Sequence, residues 1–297
     1  MKLIEHPWSF ASQGDTCVGY QLWPADAQRP PAIIMAFGLG GQISLLLRPF
    51  AERFARRGLA VCLFDYRGFG NSTGAPRSYV HPWRHLQDWE AAVQAVQDDA
   101  TIDRDRIGLW GTSFSGGHVV VTAAQHPEVR AIVAQVPFAD GVSSARASDV
   151  RDTLRYSLAV LRDAWSMITR RGPHYIAISG APGTTAVMNQ QDTWEFFVNN
   201  VPASHQDPAE NECPARILAM VPFYRPTKYA PRAQCPALVI AAERDSLIPI
   251  ASVERMANRI PQATFMRLPL SHFEVYVGDG FDTVVNAEAD FFASQLL

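Results

Sequence analysis

The strongest constraint on the fold of this chain is an alternation. Short apolar runs rich in β-branched residues, at Ala32 to Phe37, Leu59 to Asp65, Arg106 to Trp110 and Ala131 to Val136, are separated by longer stretches with apolar residues at helical spacing. A strand that is apolar on both faces must be covered on both faces, so this pattern predicts a parallel sheet sandwiched between helices. The helices are expected over Leu45 to Arg57, Trp83 to Val96 and up to Gln125. Ahead of them, Trp8-Ser9-Phe10 and Cys17 to Leu22 flank Gln13-Gly14-Asp15, which reads as an antiparallel hairpin at the sheet edge.

After Pro137 the alternation stops. Residues 138–230 contain helix-like segments, Val150 to Met167 and Gln191 to Asn199, and loops rich in Gly, Pro and Asn, but no run that reads as a buried strand. The pattern resumes with Pro236 to Ala241, a helix near Ile250 to Arg259, a strand at Thr264 to Leu268 and a last helix from about Asp282. The reading is one α/β core domain, 1–137 and 231–297, interrupted by an insertion at 138–230.

Composition narrows the function. Apolar residues are 47% and charged residues 19%, the balance of a globular protein with a substantial core. A net charge of -3 and the lack of any Lys/Arg run argue against a nucleic-acid partner. Cys17, Cys62, Cys213 and Cys235 have neither zinc-site nor disulfide-scaffold spacing and read as buried thiols. His81 and His85 stand at i, i+4, but without a third ligand they define no metal site, and no cofactor is expected. The N-terminus turns polar too soon for a signal sequence and no apolar run is long enough for a span, so no membrane partner and a cytoplasmic location are expected.

The chemistry concentrates where the strand at 106–110 meets Gly111-Thr112-Ser113-Phe114-Ser115-Gly116-Gly117 and the following helix. A serine on so sharp a strand-to-helix turn is held in a strained backbone conformation, which only small neighbours permit. Gly111, Ser115 and Gly116 meet that demand. Such residues also serve as plain helix caps, and Ser115 is a second candidate nucleophile. Two acids, Glu243 and Asp245, follow the strand at 236–241, and His272 follows the strand at 264–268.

Taken together, these segments resemble the α/β-hydrolase superfamily over nearly the whole chain. Phe37-Gly38-Leu39-Gly40-Gly41 resembles the HGxGG oxyanion turn and Asp65 to Ser72 the DYRGxGxS segment. Gly111 to Gly116 resembles the nucleophile elbow, and Asp245 with His272 completes the order Ser, Asp, His that this fold uses. The resemblance implies an α/β-hydrolase fold: a mostly parallel eight-stranded sheet, helices on both faces, and a helical cap formed by the insertion. It implies Ser113 as nucleophile, His272 as base, Asp245 as the acid that orients it, and the backbone N–H groups of Leu39 and Phe114 as an oxyanion hole. Aromatic residues Phe37, Trp165, Trp194, Phe197 and Phe223 are candidates for the substrate pocket, because a cap sits above the nucleophile.

The Ser115 variant of the elbow is similar to a subgroup containing dienelactone-hydrolase-like proteins and polyketide acyltransferases. The implied activity is therefore hydrolysis of a hydrophobic carboxylic ester or thioester, with acyl transfer to an alcohol acceptor as the alternative, since both pass through one acyl-enzyme. A non-catalytic ligand-binding protein on the same scaffold is the alternative of another class.

Overall fold

The hairpin forms first. In the computed structural model, which describes residues 2–147, 150–207 and 209–297, β1 (Leu3–Ser12) and β2 (Asp15–Pro24) pair antiparallel in unbroken register from Leu3 opposite Pro24 to Ser12 opposite Asp15. The alternating units follow: β3 (Pro31–Ala36), α1 (Arg48–Ala55), β4 (Ala60–Phe64), α2 (Pro82–Asp98), β5 (Asp103–Thr112), α3 (Phe114–Ala123) and β6 (Val129–Gln135). Beyond β6 lie α4 (Gly141–Ala147), α5 (Val150–Ile168), β7 (Tyr175–Ser179), β8 (Ala186–Met188), α6 (Gln191–Asn200), β9 (Glu212–Pro214) and α7 (Ile217–Met220). The pattern then closes with β10 (Ala237–Ala242), α8 (Ile250–Ala257), β11 (Ala263–Leu268) and α9 (Gly278–Leu296).

Eight strands make one sheet in the order β1-β2-β4-β3-β5-β6-β10-β11, with β1 and β2 antiparallel at one edge and the pairings from β4 to β11 parallel. Every residue of β3, β4 and β10 is buried, as strands covered on both faces require. Successive side chains of β3 go to opposite faces: Ala32 and Ile34 join the core with Trp89 of α2, Val119 of α3 and Val253 of α8. Ile33 and Met35 join Phe50 and Phe54 of α1 and Phe292 of α9. The α/β-hydrolase architecture implied by the sequence is the one observed.

Two element readings need correction. The segment between β6 and β10 does contain strands: β8, β7 and β9 form a small sheet, with Ala177 opposite Ala186 and Ile176 opposite Cys213. They run three to five residues, too short for a two-residue alternation to register in a sequence, and β7 buries only Ile176, Ile178 and Ser179 fully. The last helix also begins at Gly278, ahead of the expected Asp282, because its first turn is polar and glycine-rich and carries no apolar period.

The segment Asp65 to Ser72 is fastened to the fold by a buried ion pair. The Arg67 guanidinium donates from Nε to Asp88 Oδ1 of α2 at 2.5 Å and from Nη2 to Arg84 O and Gln87 Oε1, while Ser12 Oγ of β1 donates to the same carboxylate oxygen at 2.7 Å. Arg67 and Asp88 side chains are 5% and 0% exposed, so removing one charge strands the other. Asp88→Ala is expected to lower unfolding free energy by about 3–5 kcal/mol, read from urea midpoints. A loss below about 1 kcal/mol, the scale of surface pairs, would show that the pair does not hold this segment.

Candidate active site

Ser113 sits at the β5–α3 junction with φ 55° and ψ -119°, a conformation that non-glycine residues avoid. Its backbone is held from several sides: Ser113 N–H donates to Gln135 O at 2.8 Å, and Ser113 O accepts from Phe138 N at 2.8 Å. The turn is possible because its neighbours are small. A methyl on Gly111 would come within 2.3 Å of Ser115 O, and one on Gly38 within 2.9 Å of Ser113 Cβ and 3.4 Å of Phe114 N. That second approach lays the Gly38–Leu39 backbone against the first turn of α3, where the Phe114 N–H has no intrahelical acceptor.

His272, on the loop after β11, is 1% exposed and spans two partners. Its Nε2 lies 3.1 Å from Ser113 Oγ and its Nδ1 lies 2.7 Å from Asp245 Oδ2. The other oxygen of Asp245 accepts from the backbone N–H groups of Leu247 and Ile248, each at 2.8 Å. An ionised carboxylate only accepts hydrogen bonds, so the imidazole proton resides on Nδ1 and Nε2 presents its lone pair to the serine hydroxyl. Glu243, the competing acid, points elsewhere, bonded to Arg267 Nε at 2.7 Å.

Ser115, the second candidate nucleophile, is fully buried and faces away from the imidazole. Its hydroxyl donates to Phe37 O at 2.6 Å and is bonded to Tyr66 OH, which accepts from Trp89 Nε1 at 2.9 Å. Ser115 thus ties the start of the Phe37–Gly41 turn to the elbow helix. Thr112 is fixed in the same way, its Oγ1 bonded to Tyr276 OH at 2.5 Å and accepting from Gln135 Nε2 at 2.9 Å.

The two helix-spaced histidines do not share a site. His81 caps α2, its Nδ1 accepting from Arg84 N at 3.2 Å. His85 is buried and stacked on Tyr66, ring centroids 3.9 Å apart, with burial holding it neutral. Near it His118 bonds through Nδ1 to Tyr224 OH at 2.6 Å and is held down to about 3 by burial.

A cavity of about 80 Å³ adjoins the turn. Its walls include Phe37, Leu39, Leu45, Leu46, Ile178, Met188, Phe196, Phe197, Phe273 and Tyr276, with Gln42, Ser179, Thr193, His205, Glu210 and Asn211 as polar members. Of the five expected pocket residues it takes Phe37 and Phe197. Trp194 stacks on Phe197, centroids 5.8 Å apart, without reaching the wall. Trp165 and Phe223 are 64% and 75% exposed and do not line this cavity: bulk and aromaticity do not tell which face of a helix points inward. Phe273 and Tyr276, one and four residues beyond His272, line the cavity as well, and only their nearness to the histidine in sequence points to them.

The site and sheet together define an α/β hydrolase. A family model described as "Serine aminopeptidase, S33" (Hydrolase_4) matches residues 28–269, and the chain belongs to that family. It is similar to the quorum-quenching protein AidA of Acinetobacter baumannii (strain MDR-ZJ06), 36% identical over 95% of this chain and 92% of that protein. It is also similar to the polyketide transferase af380 of Aspergillus fumigatus, 26% identical over 88% and 85% of the two chains. Among solved structures, that of the α/β hydrolase GrgF from Penicillium sp. sh18 superposes with TM-score 0.79 over 100% and 99% of the chains at 22% identity. A DcsB complex with its substrate analogue does so with TM-score 0.83 over 99% of each at 20% identity. The family is one of enzymes with hydrolytic or acyl-transfer activity.

Asp65 supports the same turn, its Oδ1 accepting from Ile43 N at 2.8 Å, and burial pushes its carboxyl up from 3.8 to about 6. A carboxyl raised in the fold stabilises it fully below the unfolded value, and that contribution is lost as pH rises through the folded value. At pH 7.5 the fold therefore carries an ionised buried carboxylate. Asp65→Asn, which keeps the acceptor, is expected to be the more stable protein at pH 7.5 by roughly 1–3 kcal/mol, with the gap closing as pH falls below about 4. Denaturant midpoints across pH measure it, and a gap that does not change with pH would contradict the assignment.

Proposed function

We propose that this chain is a serine hydrolase that cleaves a carboxylic ester or thioester of a hydrophobic small molecule through an acyl-enzyme on Ser113. The observation that carries the reading is the relay of hydrogen bonds from Ser113 Oγ through His272 to Asp245, at 3.1 and 2.7 Å. Ser113 Oγ attacks the carbonyl carbon as its proton passes to His272 Nε2. The oxyanion then forms beside the N–H groups of Leu39 and Phe114, where fixed dipoles favour negative charge. The imidazolium returns its proton to the departing alcohol or thiol, and water, deprotonated by the same nitrogen, releases the acid. Asp245 keeps the imidazole in the tautomer this cycle needs.

The core is assigned to residues 1–137 and 231–297 and a cap to 138–230. The cap would shape the acyl pocket through Ile178, Met188, Phe196 and Phe197, which face Phe37, Leu39 and Phe273 across the cavity. An apolar cavity favours an apolar acyl chain. The name of the relative af380 supports a second reading, transfer of the acyl group to an alcohol in place of water.

The test is steady-state kinetics on a panel of p-nitrophenyl esters and acyl thioesters. Ser113→Ala and Asp245→Asn are expected to lower kcat by roughly 10³- to 10⁴-fold with little change in KM, whereas Glu243→Gln leaves it within about twofold. A Glu243→Gln loss larger than that of Asp245→Asn would move the orienting role to Glu243. Product partitioning with added alcohols separates the two outcomes: acid release that no acceptor diminishes removes the transferase reading.

A further inference from the structure

Helix α5 is apolar on the wrong side. Its inner face is fastened to the protein: Ala159 is buried, and Asp163, 1% exposed, accepts from Arg216 Nε at 2.7 Å, Arg216 Nη2 at 2.8 Å and His174 N at 2.8 Å. Opposite that face stand Leu154, Leu158, Leu161, Trp165 and Ile168, exposed between 56% and 76%. At 100° per residue these five fall within one narrow stripe centred about 180° from Ala159 and Asp163. Among the described residues, five of the ten exposed large apolar side chains lie in this stripe, so it is a concentrated patch.

Its spacing is four, three, four, three. That spacing matches the seam of two packed helices, and a helix of 3.6 residues per turn drifts only about 40° over these two heptads, so a second helix can follow it along its whole length. The seam runs about 21 Å at 1.5 Å per residue. It leaves on the order of 600 Å² of apolar side chain in water, most of the about 800 Å² per partner that a stable interface buries.

The flanks differ in a way that favours the same stripe on another molecule. One flank carries Ser157 and Ala164, small residues that let a backbone come close, and the Ser157 hydroxyl is turned back onto Thr153 O at 2.8 Å. The other carries Arg155, already bonded to Asp152, and Arg162, exposed. Parallel pairing about a two-fold axis sets the arginine flank of one protomer against the small-residue flank of its partner, and so avoids facing like charges.

We infer that the outer face of α5 is the homodimer interface of this protein, with a second copy of the chain as its occupant. The two protomers pair α5 to α5, burying Leu154, Leu158, Leu161, Trp165 and Ile168 at the seam. Trp165 is then an interface residue and no part of the pocket.

Sedimentation velocity on the full chain tests this. At 10–100 µM, concentrations that populate a dimer of about micromolar Kd, the wild type should sediment at twice the 32.8 kDa chain mass. Leu158→Glu/Leu161→Glu should sediment as a monomer with unchanged circular dichroism. Ser157→Arg, which changes only the flank and sets an arginine against the partner's Arg162, should weaken the dimer at least tenfold, more so at low salt. A wild type that stays monomeric at 100 µM would overturn the inference, and binding of that monomer to phosphatidylglycerol vesicles would give the face to lipid instead. A dimer untouched by both variants would overturn it as well.

Discussion

Everything at this site depends on one backbone conformation. Ser113 occupies a region of φ/ψ space that costs of order 1–3 kcal/mol for a residue with a side chain, and it stays there because β5, α3 and β6 leave no alternative. The conformation places Ser113 Oγ at the end of β5 within 3.1 Å of His272 Nε2, and requires glycine at 111 and 38 for strand, helix and turn to approach this closely. The parallel sheet supplies the rigidity, and the ends of β10 and β11 supply Asp245 and His272 on adjacent loops. Residues 159 positions apart in the chain meet at 3.1 Å as a result.

Buried polar groups around the elbow extend that constraint. Ser115, Tyr66 and Trp89 form a hydrogen-bonded chain from α2 to the carbonyl of Phe37, and Thr112, Gln135 and Tyr276 form another on the other side of Ser113. Buried hydrogen bonds of this kind favour one arrangement, since breaking them leaves further donors or acceptors unpaired in a medium that penalises them. The Ser115 variant of the elbow thereby acquires a physical role: still small, it supplies a hydroxyl that anchors the turn at Phe37 O.

The sequence was most legible where burial is total. Ile33, Ile34, Val61 and Val239 lie in strands covered on both faces, and a continuous apolar run can mean little else in an α/β pattern. Ser113, Asp245 and His272 were legible because their residue types, spacing and order match a demanding geometry, and they do meet. The strands β7, β8 and β9 were not, because three to five residues carry no measurable period and their pairing partners are distant in the chain. The lining of the cavity was legible only at two of the five aromatic positions singled out. Phe37 and Phe197 face the cavity, but Trp165 belongs to a stripe pointing outward, and sequence alone does not orient a helix that is apolar on two sides.

The most direct test of the central claim is covalent labelling of the folded protein with a fluorophosphonate, which reacts only with a serine activated by a neighbouring base. Peptide mapping by mass spectrometry should place the single adduct on Ser113, with labelling abolished in Ser113→Ala and retained in Ser115→Ala. An adduct on Ser115, or folded protein that does not react, would contradict the account.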